Sequence, residues 1–305
     1  MDRERGQGTV EMVGLLGVVT LALLGMLAAG AAVPGGALAR EIAGRIVCAA
    51  ALADGCGDEP LLIATYGDEI GRLLRRHAPT LAFEQGSRAL PVDWRRCRLT
   101  ECGDGPEAGN VHRSDQRLPV TAFVHVVDCR AEAREESEAA RFDCSGPRAG
   151  FLYLQYWLYY ANSTTGQIPV VGPLDQHDDD WESVQLRIGP DGRVQQRASS
   201  HHGYNYERSA FNAGSDAGLE VVREVSEDVG LREERGWGAE TGLVEVSGGS
   251  HAGNVGHDPG SRFIPGRRLH LVPLEPIAAH SHSTFAVVPP WLKEVWRNPE
   301  ATGTE

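Results

Sequence analysis

Lysine is nearly absent from this sequence of 305 residues, and arginine supplies almost all of the positive charge. The 42 acidic side chains outnumber the 29 basic ones, which gives a net charge of -13. No basic patch interrupts this acidic excess. The shortage of positive charge argues against nucleic acid as a partner and against electrostatic docking on an anionic lipid surface.

The common signatures of catalysis are absent as well. The sequence contains no GxSxG nucleophile elbow, no HExxH motif, no Walker loop and no dinucleotide glycine fingerprint. Ser250 lies among glycines in GGSHAG, but the spacing of GxSxG is not met. The case for a serine hydrolase is therefore weak.

The six cysteines lack CxxC spacing and fall into three pairs that are close in sequence. An even count and short loops favour disulfide bonds over a zinc site. Reduced, buried thiols in a cytosolic protein are the alternative. We predict disulfides, whose connectivity the sequence leaves open, among Cys48 and Cys56, Cys97 and Cys102, and Cys129 and Cys144.

An uncharged run of 22 residues extends from Met12 to Val33, after a short charged segment. That length can span the hydrocarbon core of a membrane as a helix. A cleaved secretory signal is the alternative, because AAGAA supplies small residues near the end of the run. A membrane anchor would place the bulk of the chain outside the cytoplasm, where disulfides persist.

The segment RGQGTVEMVGLLGVVTLALL resembles the leader of type IV prepilins and, more closely, that of TadE-like pilus-assembly proteins. In prepilins, cleavage follows a glycine, and a glutamate is the fifth residue of the mature chain. The resemblance therefore implies cleavage between Gly6 and Gln7 and assigns the glutamate to Glu11. TadE-like proteins often keep the segment as a simple anchor. The resemblance implies a single-pass cell-membrane protein with an extracytoplasmic bulk, and pilus or secretion-system components as partners.

The rest of the chain predicts a mainly β fold. Two helical patterns, ALAREIAGRIVCAAALA and EPLLIATYGDEIGRLLRRHAP, indicate a short stalk or cap. From about Leu81, β-branched and aromatic runs bounded by turn residues indicate short strands, and no long amphipathic helix interrupts them. We predict an antiparallel β-sandwich preceded by a transmembrane helix and a short helical segment. The expected organisation is leader and anchor at 1–36, stalk or cap at 37–80, sandwich at 81–298 and disordered tail at 299–305.

The stretch DQHDDDWESVQLRI crowds five carboxylates and a histidine around a predicted strand. If the strand begins near Asp180, its alternation places Asp180 and Glu182 on the apolar, buried side. An inward carboxylate is costly unless a cation or several donors satisfy it. His177, in the preceding loop, can reach the same rim. The pattern predicts a site for Ca²⁺, Mg²⁺, Mn²⁺ or Zn²⁺ formed by His177, Asp180 and Glu182.

A solvated acidic loop is the alternative, and it accounts well for Asp178 and Asp179. Further candidates for ligand binding or acid–base chemistry are Asp175, His201 in SSHHGYNY and His251 in GGSHAGN. Histidine is the commonest metal ligand and an apt acid–base group. The catalytic residues, if any, stay unassigned.

Several pieces of the sequence, taken in order, resemble the vacuolar protein sorting-associated protein 62 domain family. They are LQYWLYYANS, HDDDWESVQLRI, SSHHGY, GSHA and RRLHLVPLE. The upstream HAPTLAFEQGSRALPVDW resembles the start of the family, so the resemblance extends over about 77–298. The family name implies no reaction.

HDDDWE is also similar, more distantly, to the GHRHDWE motif of the necrosis-inducing (NPP) proteins. These are secreted cytolysins with a β-sandwich, which bind a divalent cation and use it to engage sphingolipid head groups. The resemblance assigns their first histidine, aspartate and glutamate to His177, Asp180 and Glu182. The sequence departs from the motif at Gln176 and Asp179, where the motif has glycine and a second histidine. It therefore implies cation binding more than toxicity.

Together these features predict a membrane-tethered, extracytoplasmic β-sandwich at the cell envelope. It would bind a divalent cation and a polar ligand, either a glycan or a lipid head group. The enzyme alternative is a metal-dependent hydrolase, in which the cation activates water and His201 or His251 moves protons. The third hypothesis is a structural TadE-like minor pilin, whose acidic stretch is only a folding feature.

Prepilin-like processing predicts a mature chain that begins at Gln7. Mass spectrometry of the N-terminal peptide from the membrane fraction would measure this directly. An intact Met1, or cleavage near Ala31, would contradict prepilin-like processing.

Overall fold

The computed structural model describes residues 58–98, 105–107, 110–130, 142–168, 172–200, 203–205, 236–256, 258–259, 261–278 and 284–302. The chain divides into two compact units, Met1–Arg72 and Leu73–Glu305. No helix in the described part of the chain is long and apolar enough to cross a membrane. Several predicted features lie outside the described residues: the membrane anchor, Gly6, Gln7, Glu11, Cys48, Cys56, Cys102 and His201.

Two helices precede the sheets, α1 (Glu59–Tyr66) and α2 (Asp68–Arg76). Proline in the first turn of α1 suits a position where the missing N–H would have no helical partner. Gly67 separates the helices with a φ of 85°, which residues with a Cβ rarely adopt. The continuous helix predicted for EPLLIATYGDEIGRLLRRHAP is therefore interrupted at its glycine.

The second unit is mainly β, as predicted. Its described strands are β1 (Thr80–Glu84), β2 (Pro106–Glu107), β3 (Asn110–Ser114), β4 (Thr121–Asp128), β5 (Leu152–Ile168), β6 (Gly172–Ile188), β7 (Val194–Ser200), β8 (Gly203–Asn205), β9 (Gly238–Ala239), β10 (Leu243–Val246), β11 (Gly253–Val255), β12 (Phe263–Pro265) and β13 (His270–Pro273). A short helix, α3 (Glu275–Ala278), follows β13, and 3-10 turns span Pro290–Leu292 and Glu294–Trp296.

The described strands form two larger sheets and a two-stranded pairing of β2 with β3. The small sheet has the order β11-β10-β1-β12, and the large sheet has the order β13-β4-β5-β6-β7-β8, with β9 paired to β7. Most neighbours are antiparallel, but β1 with β10 and β4 with β13 are parallel. The prediction of wholly antiparallel sheets is wrong for these two pairs. Their strands are distant in sequence, and local alternation says nothing about the direction of a distant partner.

The strands β5 and β6 are each 17 residues long and outreach their neighbours. The pairing of β4 with β5 extends only to Trp157, and that of β7 with β6 begins only at Val184. Beyond these points β5 and β6 continue as a two-stranded ribbon. The strand predicted to begin near Asp180 therefore begins at Gly172. The stretch 175–179, predicted as a loop, lies inside β6, where pairing with β5 overrides its polar composition.

Both faces of the large sheet are covered. On one face, Gly253 of β11 packs against Ala198 of β7, which brings the small sheet over the large one. The opposite face carries an aromatic cluster that includes Trp157, Tyr159 and Trp181. The sequence predicts one buried face of β6 only, yet the face that carries Trp181 is buried as well. Segment 284–302, far away in sequence, contributes to its cover.

The disulfide between Cys129 and Cys144 is confirmed. Cys97 is also disulfide-bonded, and no described cysteine is free. The predicted disordered tail at 299–305 is wrong for its first residues, because Pro299 and Ala301 are buried against the sheet.

Breaking this disulfide should destabilise the second unit. The bond closes a loop with a sequence separation of 15, and closing a loop of that size restricts the unfolded chain by about 3 kcal/mol. We expect Cys144→Ser to lower the free energy of unfolding by about that amount, measured by guanidinium denaturation. The double variant Cys129→Ser/Cys144→Ser is the control and should lose no more than the single one; a much larger further loss would show that the two thiols matter beyond their bond.

Candidate functional site

The candidate site lies where the β5–β6 ribbon leaves the large sheet. At this point β7 no longer pairs with β6 through its backbone, and the N–H of Ser183 donates to the Oγ of Ser199 at 2.6 Å. The same hydroxyl also donates to the carboxylate of Glu182. Glu182 therefore lies at the point where β6 and β7 separate, and a serine hydroxyl contributes to satisfying its charge.

Asp180 is joined to His251. The Nδ1 of His251 donates to Oδ2 of Asp180 at 2.9 Å. The imidazole lies flat on Tyr160, with ring centroids 3.8 Å apart and planes at 4°. Tyr160 is the cross-strand partner of Asp180 in the ribbon. With Nδ1 engaged, Nε2 is the ring nitrogen left for a ligand, a proton or a metal ion.

The Asp180–His251 pair is largely removed from water. The side chain of His251 is 3% exposed and that of Asp180 is 13% exposed. In such surroundings a hydrogen bond between a carboxylate and an imidazole is electrostatically stronger than in water. The pair therefore has a defined geometry before any ligand arrives.

Two residues beside this hydrogen bond have a left-handed backbone. Asp179 and His251 each have a φ of 57°. A non-glycine residue in this region costs free energy and persists only when the surroundings hold it there; such residues are concentrated at functional sites. The unfavourable backbone conformation therefore occurs on both sides of the Asp180–His251 contact, at Asp179 and at His251 itself.

Asp179, which precedes Asp180 and points to the other face of β6, is the most deeply buried of the described carboxylates in the acidic stretch, at 1% exposed. It accepts hydrogen bonds from Nε and Nη2 of Arg98 at 2.9 and 3.0 Å. The hydroxyl of Tyr159 donates at 2.7 Å, and the N–H of Ala286 donates at 2.8 Å. Burial alone would raise the pKa of Asp179, but the donors outweigh it and the pKa is lowered.

The alternative of a solvated acidic loop, which accounts well for Asp179 in the sequence, is wrong for this residue. The partners that bury it, Arg98 and Ala286, are 81 and 107 residues away in sequence. The guanidinium of Arg98 also lies over the ring of Phe285, 4.3 Å from its centroid, and donates to the carbonyl of Thr284. No local signal in the sequence identifies this network.

The other predicted residues are placed differently. His177 lies in β6, not in a preceding loop, and its Nδ1 donates to the carbonyl of Asp179 at 2.8 Å. Asp175 is also part of β6, and its side chain lies outside the described ones. The structure thus brings Asp180 and His251 together. Within the described part of the chain, no group of three or more His, Cys, Asp or Glu side chains is arranged to hold a metal ion.

Two residues close to the pair, Tyr160 and Ser199, were not predicted from the sequence. Tyr160 belongs to the run LQYWLYYAN, which predicts a buried strand, and its role as a platform for His251 follows only from the register of β5 with β6. Ser199, beside Glu182, begins the piece SSHHGY, in which His201 and not the serine was the predicted site residue. The glycines around His251 were the one local signal of a close backbone approach.

Asp179→Asn should reduce stability by about 2–3 kcal/mol at pH 7, because it removes the charge that Arg98 faces in a largely buried site. A carboxylate whose folded pKa is depressed stabilises the protein above its unfolded pKa, and loses this contribution as the pH falls through the folded pKa. The difference between parent and variant should therefore shrink below about pH 4. Urea denaturation from pH 7 to pH 3 measures it, with the exposed Asp258→Asn as control. A difference in stability between parent and variant that does not change with pH would contradict an ionised Asp179 in the folded protein.

No family model and no curated protein matches the chain. A solved structure titled "Toxin fold for microbial attack and plant defense" is similar to it, with a TM-score of 0.38 and 14% identity, over 75% of this chain and 87% of that chain. A likeness at this level carries no argument about fold or function. The comparisons give no support to the resemblances to the vacuolar sorting domain family or to TadE-like proteins.

Proposed function

We propose that this protein binds a polar ligand, a glycan or a lipid head group, together with a divalent cation, at Asp180 and His251. The observation that carries the proposal is the buried hydrogen bond between these two side chains, bracketed by two left-handed residues. Glu182 supplies a second carboxylate two positions along the same strand. Water-excluded, pre-organised polar groups of this kind fix the orientation of a ligand in binding sites.

Asp180, Glu182 and His251 supply part of the ligand set that a divalent cation needs. Hard cations such as Ca²⁺ and Mg²⁺ take oxygen ligands, which Asp180 and Glu182 carry, and imidazole suits Zn²⁺ or Mn²⁺. Because no three described side chains are grouped for a metal ion, water or oxygen atoms of the ligand would have to complete the coordination. Cation and polar ligand would then strengthen each other's binding, since coupling between two ligands is reciprocal.

The surroundings proposed for this site are extracytoplasmic. The Cys129–Cys144 bond and the bonded Cys97 support an oxidising compartment. We propose that the two facing sheets form a β-sandwich, tethered to the cell membrane by the N-terminal segment. Pilus or secretion-system components are the partners that such a tether would bring close.

A metal-dependent hydrolase is the second candidate, and one observation favours it. Asp180 fixes Nδ1 of His251, so that Nε2 can accept a proton from water, as a general base requires. Assays on ester, phosphodiester and glycoside substrates with the metal-loaded protein distinguish a binder from this enzyme. Turnover that is lost in His251→Gln would favour the hydrolase.

Calorimetric titration of the full chain with Ca²⁺, Mg²⁺, Mn²⁺ and Zn²⁺ tests the proposed function. We expect at least one cation to bind, and Asp180→Asn and Glu182→Ala to weaken its binding about tenfold or more, a typical loss when a group of a metal site is removed. Asp258→Asn is the matched control, because it removes the same charge from an exposed residue. If the parent binds no cation, or if Asp180→Asn binds it as the parent does, the proposed cation site is rejected. The hypothesis of a structural minor pilin would then stay.

A further inference from the structure

The carboxylate of Asp179 uses its full capacity for hydrogen bonds within the protein. Oδ1 accepts from Nε of Arg98 at 2.9 Å and from the hydroxyl of Tyr159 at 2.7 Å. Oδ2 accepts from Nη2 of Arg98 at 3.0 Å and from the N–H of Ala286 at 2.8 Å. Two donors on each oxygen fill the roughly four lone-pair sites of a carboxylate. Asp179 is therefore not a ligand for a cation, and both the position and the rotation of its carboxylate are fixed.

The backbone of Asp179 is held as well, at a point where β6 departs from regular strand geometry. Its φ of 57° lies in the left-handed region. In the β5–β6 ladder, Asp178 and Asp180 are paired with no change of offset, and the pairing is interrupted at the residue between them. The carbonyl of Asp179 accepts from Nδ1 of His177 at 2.8 Å. The left-handed residue is therefore held through its main chain and through its side chain.

The direction of Asp180 follows from this arrangement, because the backbone at Asp179 sets where the next residue leaves the strand. Asp180 places its Oδ2 at 2.9 Å from Nδ1 of His251. His251 is held separately, by its stacking on Tyr160 and by its own φ of 57°. Both partners of the hydrogen bond are thus fixed, and Asp179 is the residue that fixes the carboxylate side.

The network around Asp179 also closes the fold, since Arg98 and Ala286 come from segments far away in sequence. Closing the fold does not by itself require a left-handed residue inside a strand, which costs free energy. A buried ion pair adds little net stability, because desolvation of the charges offsets their attraction. The position of this unfavourable residue directly before Asp180 therefore favours a role in the site.

We infer that Asp179 is a positioning residue, which holds Asp180 against His251 and prepares the site without touching the ligand. This inference rests on the proposed function for its effect on cation binding. The hydrogen bond between Asp180 and His251 can be measured in the absence of a cation, so that the positioning role and the proposed function fail separately.

The test uses the full chain with Tyr159→Phe, which removes one hydrogen bond to Asp179 and keeps the aromatic ring. Tyr156→Phe is the matched control, because Tyr156 lies in the same strand and its buried hydroxyl donates to the carbonyl of Leu74 at 2.8 Å. The measurement is the exchange with water of the ring N–H of His251, by NMR of protein labelled with ¹⁵N-histidine. The signal is assigned by its absence in His251→Gln. We expect about tenfold faster exchange in Tyr159→Phe, from the loss of one hydrogen bond to a charged group, and parent-like exchange in Tyr156→Phe.

Arg98→Lys is the second variant. It keeps the positive charge but loses the two parallel contacts with the carboxylate, and it should act in the same direction as Tyr159→Phe. In calorimetric titrations, both variants should bind the cation of the parent about tenfold more weakly, because groups that orient the ligands of a metal ion affect its affinity. Tyr156→Phe should bind the cation as the parent does.

Equal exchange rates of the His251 N–H in Tyr159→Phe and Tyr156→Phe would overturn the inference, whether or not the parent binds a cation. Faster exchange in Tyr159→Phe together with parent-like cation affinity would also overturn it, because Asp179 would then have no effect on binding. If the parent binds no cation but exchange is faster in Tyr159→Phe alone, the positioning role is supported and the proposed function is rejected.

Discussion

The pairing of β5 with β6 along their full length is the interaction on which the rest of this unit depends. Within the sheet, it joins β4 on one side to β7 on the other. Beyond the sheet, it supports the acidic stretch as a ribbon. The register places Tyr160 opposite Asp180, so that the platform for His251 and the partner of His251 come from neighbouring strands. Because side chains alternate between faces, a slip of one residue would exchange the environments of Asp179 and Asp180.

Several buried charges of the two sheets are paired. Glu84 accepts from Arg262, and Asp179 accepts from Arg98. His125 is fully buried between the carboxylate of Glu275 and the carbonyl of Trp296, at 2.6 and 3.1 Å. Such pairs select one arrangement of distant segments on the sheet, more than they add net stability.

The sequence alone predicts the parts of this structure that depend on local alternation. The mainly β class, the central strands and the presence of a disulfide are correct, and alternation correctly places Asp180 and Glu182 on the face away from Trp181. The parallel pairs, the burial of Asp179 and the packed residues after 298 could not be predicted, because each depends on a partner far away in sequence. The start of β6 was missed because strand pairing with β5 overrides a polar composition that favours loops.

Asp179 and Asp180 point to opposite faces of β6, and the contacts of Asp179 on one face help to fix the position of Asp180 on the other. Arg98, Tyr159 and Ala286 fix the Asp179 carboxylate on the aromatic face, and this anchoring makes its left-handed backbone tolerable. That backbone in turn sets the direction in which the next residue leaves the strand, where Asp180 meets His251. A ligand at the Asp180–His251 pair would therefore meet side chains that are already ordered. Its affinity would then not be lowered by the entropic cost of ordering them. In the proposed function, the buried network on the far face would support binding without touching the ligand.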